Sequence, residues 1–270
     1  MTFFDDLGNE LTFEKTPKKI VSLVPSITET LYDLNLEDNI VGITKFCVHP
    51  VHFKHTKTIV GGTKDAKIDK IKELKPDIIF CNKEENSPEI VKQLQEFTQV
   101  YVTVVQDIDD TIRMITKIGL MLNRRVDAQL INHKINLKLD DFKWFIKDFE
   151  VKKAAYFIWY NPWMAAGNNT FINSLLTLNK FDNIYKNKKE IYPTIEAKRI
   201  RLEGDPDFVF FSSEPFPFKD NHVFEMGRFT HHASAIYVDG EMFSWFGSRL
   251  LKSFDYFKSL RERITLSTFK

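Results

Sequence analysis

The sequence predicts an α/β protein of two Rossmann-like lobes with parallel sheets, joined by a long backbone helix. Three observations predict it. First, a phrase of helix, Pro-Asp turn and apolar run occurs twice, as Ile71-Lys72-Glu73-Leu74-Lys75-Pro76-Asp77-Ile78-Ile79-Phe80 and as Ile200-Arg201-Leu202-Glu203-Gly204-Asp205-Pro206-Asp207-Phe208-Val209-Phe210-Phe211. Second, short apolar runs alternate with helical patterns, as parallel sheets covered on both faces require. Third, residues 107–149 contain no Pro and a single Gly. The expected division is therefore a first lobe over residues 1–106, a connecting helix over 107–149 and a second lobe over 150–270.

In the first lobe, residues 20–24 are an apolar strand. Ser26-Ile27-Thr28-Glu29 has the capping-box pattern, so a helix is expected to start on Ser26. Ile40–Ile43 is a second strand, followed by a polar loop. Ile68, Ile71 and Leu74 share a helical face, which Pro76 ends. Residues 78–81 form the third strand, 88–97 a helix with Pro near its first turn, and 100–105 the fourth strand.

Ile112, Ile115, Ile118, Leu122, Val126, Leu130, His133 and Leu137 keep one helical period through the connecting helix, with a break expected near Leu139-Asp140-Asp141. His133 reads as a packing residue of that stripe. In the second lobe, strands are expected over 153–159, 208–211 and 234–238. Helices are expected over Phe171–Leu178, 195–202 and 249–260, with a Pro- and Phe-rich loop over 212–222. Trp159 falls inside a strand pattern and reads as core.

Composition narrows the function. The 270 residues carry 38 basic and 37 acidic side chains, for a net charge of +1, so no basic excess points to nucleic acid. No apolar run approaches the roughly 20 residues that span a bilayer. The opening Met1-Thr2-Phe3-Phe4-Asp5-Asp6 lacks the basic and apolar segments of a secretory leader. The chain is then expected in the cytoplasm if Met1 is the native start, and periplasmic or membrane-anchored if a leader has been removed. Two cysteines, Cys47 and Cys81, are no disulfide framework. Nucleophile elbow, phosphate loop and zinc-protease helix are all missing, so catalysis is not expected.

Ligands of open parallel sheets bind beyond the carboxyl ends of the strands. That rule selects Pro25 and Ser26, then Lys45, Phe46, Cys47 and His49, then Cys81, Asn82, Lys83, Glu84 and Glu85. In the second lobe it selects Tyr160, Asn161, Pro162, Trp163 and Met164, then Glu214, Phe216 and Phe218, then Glu241, Met242, Phe243 and Trp245. His231 and His232 precede a strand and face the other end. His52 and His55 lie in a lysine-rich loop and read as solvated.

Several of these segments resemble one family. Ser22-Leu23-Val24-Pro25-Ser26-Ile27-Thr28-Glu29, Ile40-Val41-Gly42-Ile43-Thr44 and Leu74-Lys75-Pro76-Asp77-Ile78-Ile79 are similar to the first lobe of class III substrate-binding proteins of ABC importers. Trp159-Tyr160-Asn161-Pro162-Trp163-Met164-Ala165-Ala166-Gly167 is similar to the start of their second lobe. Phe246-Gly247-Ser248-Arg249 is similar to the turn before their last helix, with both of that turn's prolines replaced. The cobalamin-binding branch looks most similar. The resemblance implies a monomeric receptor with no resident cofactor. It implies a corrinoid, or a related metal chelate such as haem or a ferric siderophore, held between the lobes. It also implies an ABC permease as partner, met through one surface glutamate per lobe. Glu85 or Glu89 matches in the first lobe. Glu196 is the candidate in the second, although the register places Ala197, Lys198 or Arg199 at the usual position.

A corrinoid offers broad apolar faces and a polar rim. Flat aromatic walls bury such faces at roughly 25 cal/mol per Å², and the expected walls are Phe46, Trp163, Phe216, Phe243 and Trp245. Pro25, Ser26, Lys45, Cys47, His49 and Asn82 are the remaining expected contacts. The alternative is direct metal binding by Cys47, His49 and Cys81, since thiolate and imidazole suit zinc, iron or cobalt.

Overall fold

The computed structural model describes residues 1–268. The chain divides into two compact units. One comprises Met1–Val105, Asp109–Asn136 and Phe246–Arg249; the other comprises Gln106–Ile108, Leu137–Trp245 and the segment from Leu250 onward.

The first unit opens with a hairpin, β1 (Thr2–Phe4) antiparallel to β2 (Glu10–Thr12). Asp5 forms its turn by accepting from the backbone N–H groups of Leu7 and Asn9. The chain continues through β3 (Ile20–Ser22), α1 (Pro25–Asp33), β4 (Ile40–Ile43), α2 (Phe53–Thr56) and β5 (Thr58–Ile59). Then come α3 (Ile68–Leu74), β6 (Ile78–Asn82), α4 (Pro88–Gln95) and β7 (Gln99–Thr103). Strands β3 to β7 form one parallel sheet in the order β5-β4-β3-β6-β7, with the direction of winding reversing between β3 and β6. All five residues of β6 are buried, which explains its uninterrupted apolar run. Val21, Leu23, Ile71, Ile79, Leu94 and Val102 are part of one core cluster on this sheet.

Helix α1 does not start as the capping box predicts. Val24 occupies the N-cap without a side-chain bond and Pro25 follows in the first turn. Proline has no N–H to satisfy and its φ suits the first helical turn, so the N-cap falls at Val24, two residues ahead of Ser26. Ser26 is thereby drawn into the helix, its Oγ buried without a hydrogen-bond partner among the described residues, and Glu29 pairs with Arg249 instead of reaching back to the cap.

The long span is also not one helix. It is α5 (Ile108–Met121) and α6 (Arg125–Ile146), and α6 runs unbroken through residues 139–141. Asn123 adopts a left-handed φ of 54°, and the Arg124 N–H closes on the Gly119 carbonyl. This is a helix-ending αL turn, for which asparagine substitutes for glycine. The turn rephases the apolar face. Ile115, Ile118 and Leu122 are buried, whereas Val126, Leu130, His133 and Leu137 face solvent, Leu137 being 57% exposed. Ala128, Ile131, Asn132, Ile135, Leu139, Phe142 and Ile146 are buried in α6.

The second unit contains β8 (Lys152–Trp159), β9 (Met164–Ala165), α7 (Phe171–Leu178), β10 (Phe181–Asn183), α8 (Ile200–Glu203) and β11 (Phe208–Ser212). It ends with α9 (Asp220–Gly227), β12 (Ser234–Val238), α10 (Gly240–Ser244) and α11 (Leu250–Thr268). Strands β10, β8, β11 and β12 are parallel in that order, and β9 folds back antiparallel on the end of β8. Here winding reverses between β8 and β11. The expected helix over 195–202 is a 3₁₀ turn at Ala197–Arg199 followed by α8. No helix among the described residues is long and apolar enough to cross a membrane.

The repeated Pro-Asp phrase does one job in both units. Asp77 Oδ2 accepts from the backbone N–H groups of Lys18 and Lys19 at 2.7 and 2.8 Å, just ahead of β3. Asp207 Oδ2 accepts from the Lys153 N–H at 2.8 Å, at the start of β8. Each aspartate thus clips the amino end of the neighbouring parallel strand.

Candidate ligand-binding site

Open parallel sheets bind ligands beyond the strand ends where winding reverses, and those points here lie between β3 and β6 and between β8 and β11. In the second unit this point is built from aromatic rings. Strand β8 outruns its neighbour, because the last pair with β11 is Phe157 with Phe211. Trp159 therefore runs past β11, paired with Met164 of β9, and is 41% exposed, which corrects its reading as core. Its ring lies 5.6 Å from Phe216, on the loop after β11, in an edge contact. Tyr160 lies 5.9 Å from Phe216, and the His222 ring packs 4.6 Å from Tyr160 and 5.1 Å from Phe216. Trp159, Tyr160 and Phe216 form an aromatic platform of mutually inclined rings, Trp159 edge-on to Phe216 at 64° and Tyr160 tilted to it at 42°.

Glu225 of α9 holds this platform. One carboxylate oxygen accepts from the Tyr160 hydroxyl at 2.8 Å and the other from Trp163 Nε1 at 3.2 Å. The bond to Glu225 raises the Tyr160 phenol above its ordinary range. Trp163, expected as a wall, instead lies inside the core, stacked on Phe218 at 5.7 Å. Phe243 is likewise a core residue, buried against Tyr156 and Phe257 at 5.3 and 4.8 Å. Trp245 is nearly buried, its Nε1 donating to Glu214 Oε1 at 2.8 Å.

Glu214 follows β11 and is tucked under α10. Ser244 Oγ also donates to its Oε1, at 2.9 Å. A side chain at Gly240 would come within 2.5 Å of Glu214 Cγ and Ser212 Oγ, so only glycine permits this approach. Burial pushes the Glu214 carboxyl above its ordinary value, opposed by the bonds from Ser244 and Trp245.

In the first unit, Phe46 is 49% exposed at the end of β4. Lys45 Nζ stands 5.1 Å above its ring and 3.2 Å from Asp65 Oδ2. His49 is half-buried on the same loop. Pro25 and Ser26 are buried in α1. Asn82 is a turn-former and not a free contact: its Oδ1 accepts from the Glu84 N–H at 2.8 Å, and its Nδ2 donates to Thr103 Oγ1 at 3.1 Å.

The metal reading does not survive the geometry. Cys47 and Cys81 are fully buried, and the Cys47 thiol is engaged with Thr28 at 3.1 Å and Thr44 at 3.2 Å. Burial pushes both thiols up, away from the thiolate a metal needs. Among the described residues, no group of three or more His, Cys, Asp or Glu side chains, the Cys47, His49 and Cys81 set included, is placed to hold a metal ion. Of the expected docking residues, Glu89 is exposed in the first turn of α4, Glu85 is half-buried, and Glu196 is exposed at the N-cap of the 3₁₀ turn before α8.

Residues 20–227 match the family model described as periplasmic binding protein. An uncharacterized ABC transporter substrate-binding lipoprotein of Bacillus subtilis, YvrC, is 27% identical over 98% of this chain and 86% of its own length. The periplasmic vitamin B12 binding protein BtuF of Vibrio cholerae shares the fold, with a TM-score of 0.80 at 18% identity over 92% of this chain and 97% of that one. The periplasmic heme-binding protein RhuT of Roseiflexus sp. RS-1 does so with a TM-score of 0.79 at 14% identity, over 90% and 97%.

Proposed function

We propose that this chain, which belongs to the periplasmic binding protein family of ABC-transporter substrate-binding proteins, carries a planar metal chelate of the corrinoid type. The family binds solutes and does not transform them. The observation that carries the ligand reading is the Trp159–Tyr160–Phe216 platform at the reversal point of the second sheet. Burying the accessible surface of these rings against an apolar macrocycle is favourable at roughly 25 cal/mol per Å², and three adjoining rings suit a broad solute better than a small ion. Lys45, Phe46 and His49 of the first unit are proposed as further ligand contacts. The curated relatives include vitamin B12-binding proteins, such as that of Vibrio cholerae, which supports the corrinoid choice over haem or a siderophore.

Delivery to a permease is the second half of the reading. Glu89 and Glu196 both sit exposed where a helical turn begins, and we assign them, with Glu85 beside Glu89, to the permease-facing surface. Native mass spectrometry of the purified protein, combined with thermal shift on adding cobalamin, haem or a ferric hydroxamate, tests the ligand reading. A co-purified corrinoid, or a rise in Tm with cobalamin, is expected. Absence of any response to all three compounds overturns it.

A further inference from the structure

We infer that His222 is the polar contact of the aromatic platform: its Nε2–H donates to an oxygen on the rim of the ligand and does not coordinate the metal at the ligand's centre. The inference rests on the planar-chelate reading above. His222 lies in the first turn of α9 and is only 7% exposed. Its ring packs 4.6 Å from Tyr160, 5.1 Å from Phe216 and 5.8 Å from Phe218, so the imidazole is itself a member of the ring cluster. Three residues on, Glu225 accepts from the Tyr160 hydroxyl and from Trp163 Nε1. Helix α9 thus supplies an acid and an imidazole to the cluster. Both oxygens of the acid are taken, and one nitrogen of the imidazole is left over.

The tautomer follows from the helix cap. The backbone N–H of Lys219 donates to His222 Nδ1 at 2.9 Å. A nitrogen that accepts carries no proton, so in the neutral ring the proton sits on Nε2. Nε2 has no hydrogen-bond partner among the described residues, and it is not a sealed-off atom. The cluster therefore holds a donor fixed by a cap and three aromatic rings, with no acceptor from the protein. A buried donor left unpaired is costly, and a ligand oxygen that reaches it removes that cost. A metal-bound imidazole has the reverse arrangement: one nitrogen ligates and the other donates a hydrogen bond. Ligation by Nε2 would require the proton to move to Nδ1 and the Lys219 cap to break. The chemistry that fits is a carbonyl or carboxylate oxygen on the edge of an apolar ring.

The probe is the heptamethyl ester of dicyanocobyrinic acid, a neutral corrinoid whose rim offers ester oxygens and no N–H. It is titrated at neutral pH by tryptophan-fluorescence quenching. His222→Gln and His222→Glu have the same size, and both can accept from the Lys219 N–H as capping-box residues do. Only Gln can also donate. His222→Gln is expected to bind the ester at least about tenfold more tightly than His222→Glu, and wild type at least about tenfold more tightly than His222→Phe. Equal affinities of the Gln and Glu variants overturn the donor role. Should His222→Glu not fold, His222→Phe decides: lost binding with an unchanged Tm of the ligand-free protein supports the donor, and any other result overturns it. Diaquocobinamide, whose axial waters are replaceable, tests the second half. Its absorption bands are expected to stay those of the water-ligated form when wild type binds it; a shift to nitrogen-ligated bands that His222→Phe abolishes overturns the inference. Wild type that binds dicyanocobinamide but refuses the ester also overturns it. Failure of wild type to bind the ester, cobinamide and haem alike is instead a failure of the planar-chelate reading.

Discussion

Arg249 Nε donates to Glu29 Oε2 at 2.7 Å, and both side chains are only 4% exposed. The pair ties the segment before α11 to helix α1, beside a second bond from the Ser248 N–H to Thr30 Oγ1 at 3.1 Å. Removing one member leaves the other charge buried, which typically costs about 3–5 kcal/mol. Arg249→Met alone should therefore lower the urea midpoint sharply. Arg249→Met with Glu29→Leu should recover much of the loss, because no charge is then stranded. Recovery would be absent if the pair mattered only through its shape.

Glu214 makes stability depend on pH. Burial raises its carboxyl above the ordinary value of 4.5. A raised folded pKa means that the folded state holds its proton more tightly than the unfolded chain does. Stability from this group is then complete below about pH 4.5 and declines as pH rises through the folded value. Glu214→Gln removes the titration. Its Tm relative to wild type should be higher at pH 7 than at pH 4 by calorimetry. The same difference at both pH values would contradict the burial.

The αL turn at Asn123 sets which face of α6 is buried. Leu137→Lys should change stability by no more than about 0.5 kcal/mol, as exposed positions do. Ile135→Ala, two residues away but fully buried, should cost about 2–5 kcal/mol. Chemical denaturation of the two variants checks the phase of the helix. The opposite ranking would restore the single continuous stripe.

The paired sheets were legible because both units repeat a helix, a Pro-Asp clip and a buried strand. The αL turn was not, since Asn123 lies between apolar residues whose spacing continues across it. Site reading failed for a related reason. Trp159 and Trp163 are equally aromatic, and only the strand pairing shows that β8 outruns β11, exposing Trp159, while Glu225 and Phe218 hold Trp163 inside. Cys47 and His49 share a loop, yet the loop turns the thiol toward Thr28 and Thr44. Phe46 and Phe216 are legible by position alone, because each follows the carboxyl end of a parallel strand.

The account depends most on the platform, and cobalamin titration of wild type against Trp159→Ala tests it most directly. Trp159 is partly exposed, so the variant should fold with little change in Tm. Its cobalamin affinity should fall by at least about tenfold, equivalent to 1.4 kcal/mol. Equal affinities in the two proteins would place the ligand elsewhere and contradict the account.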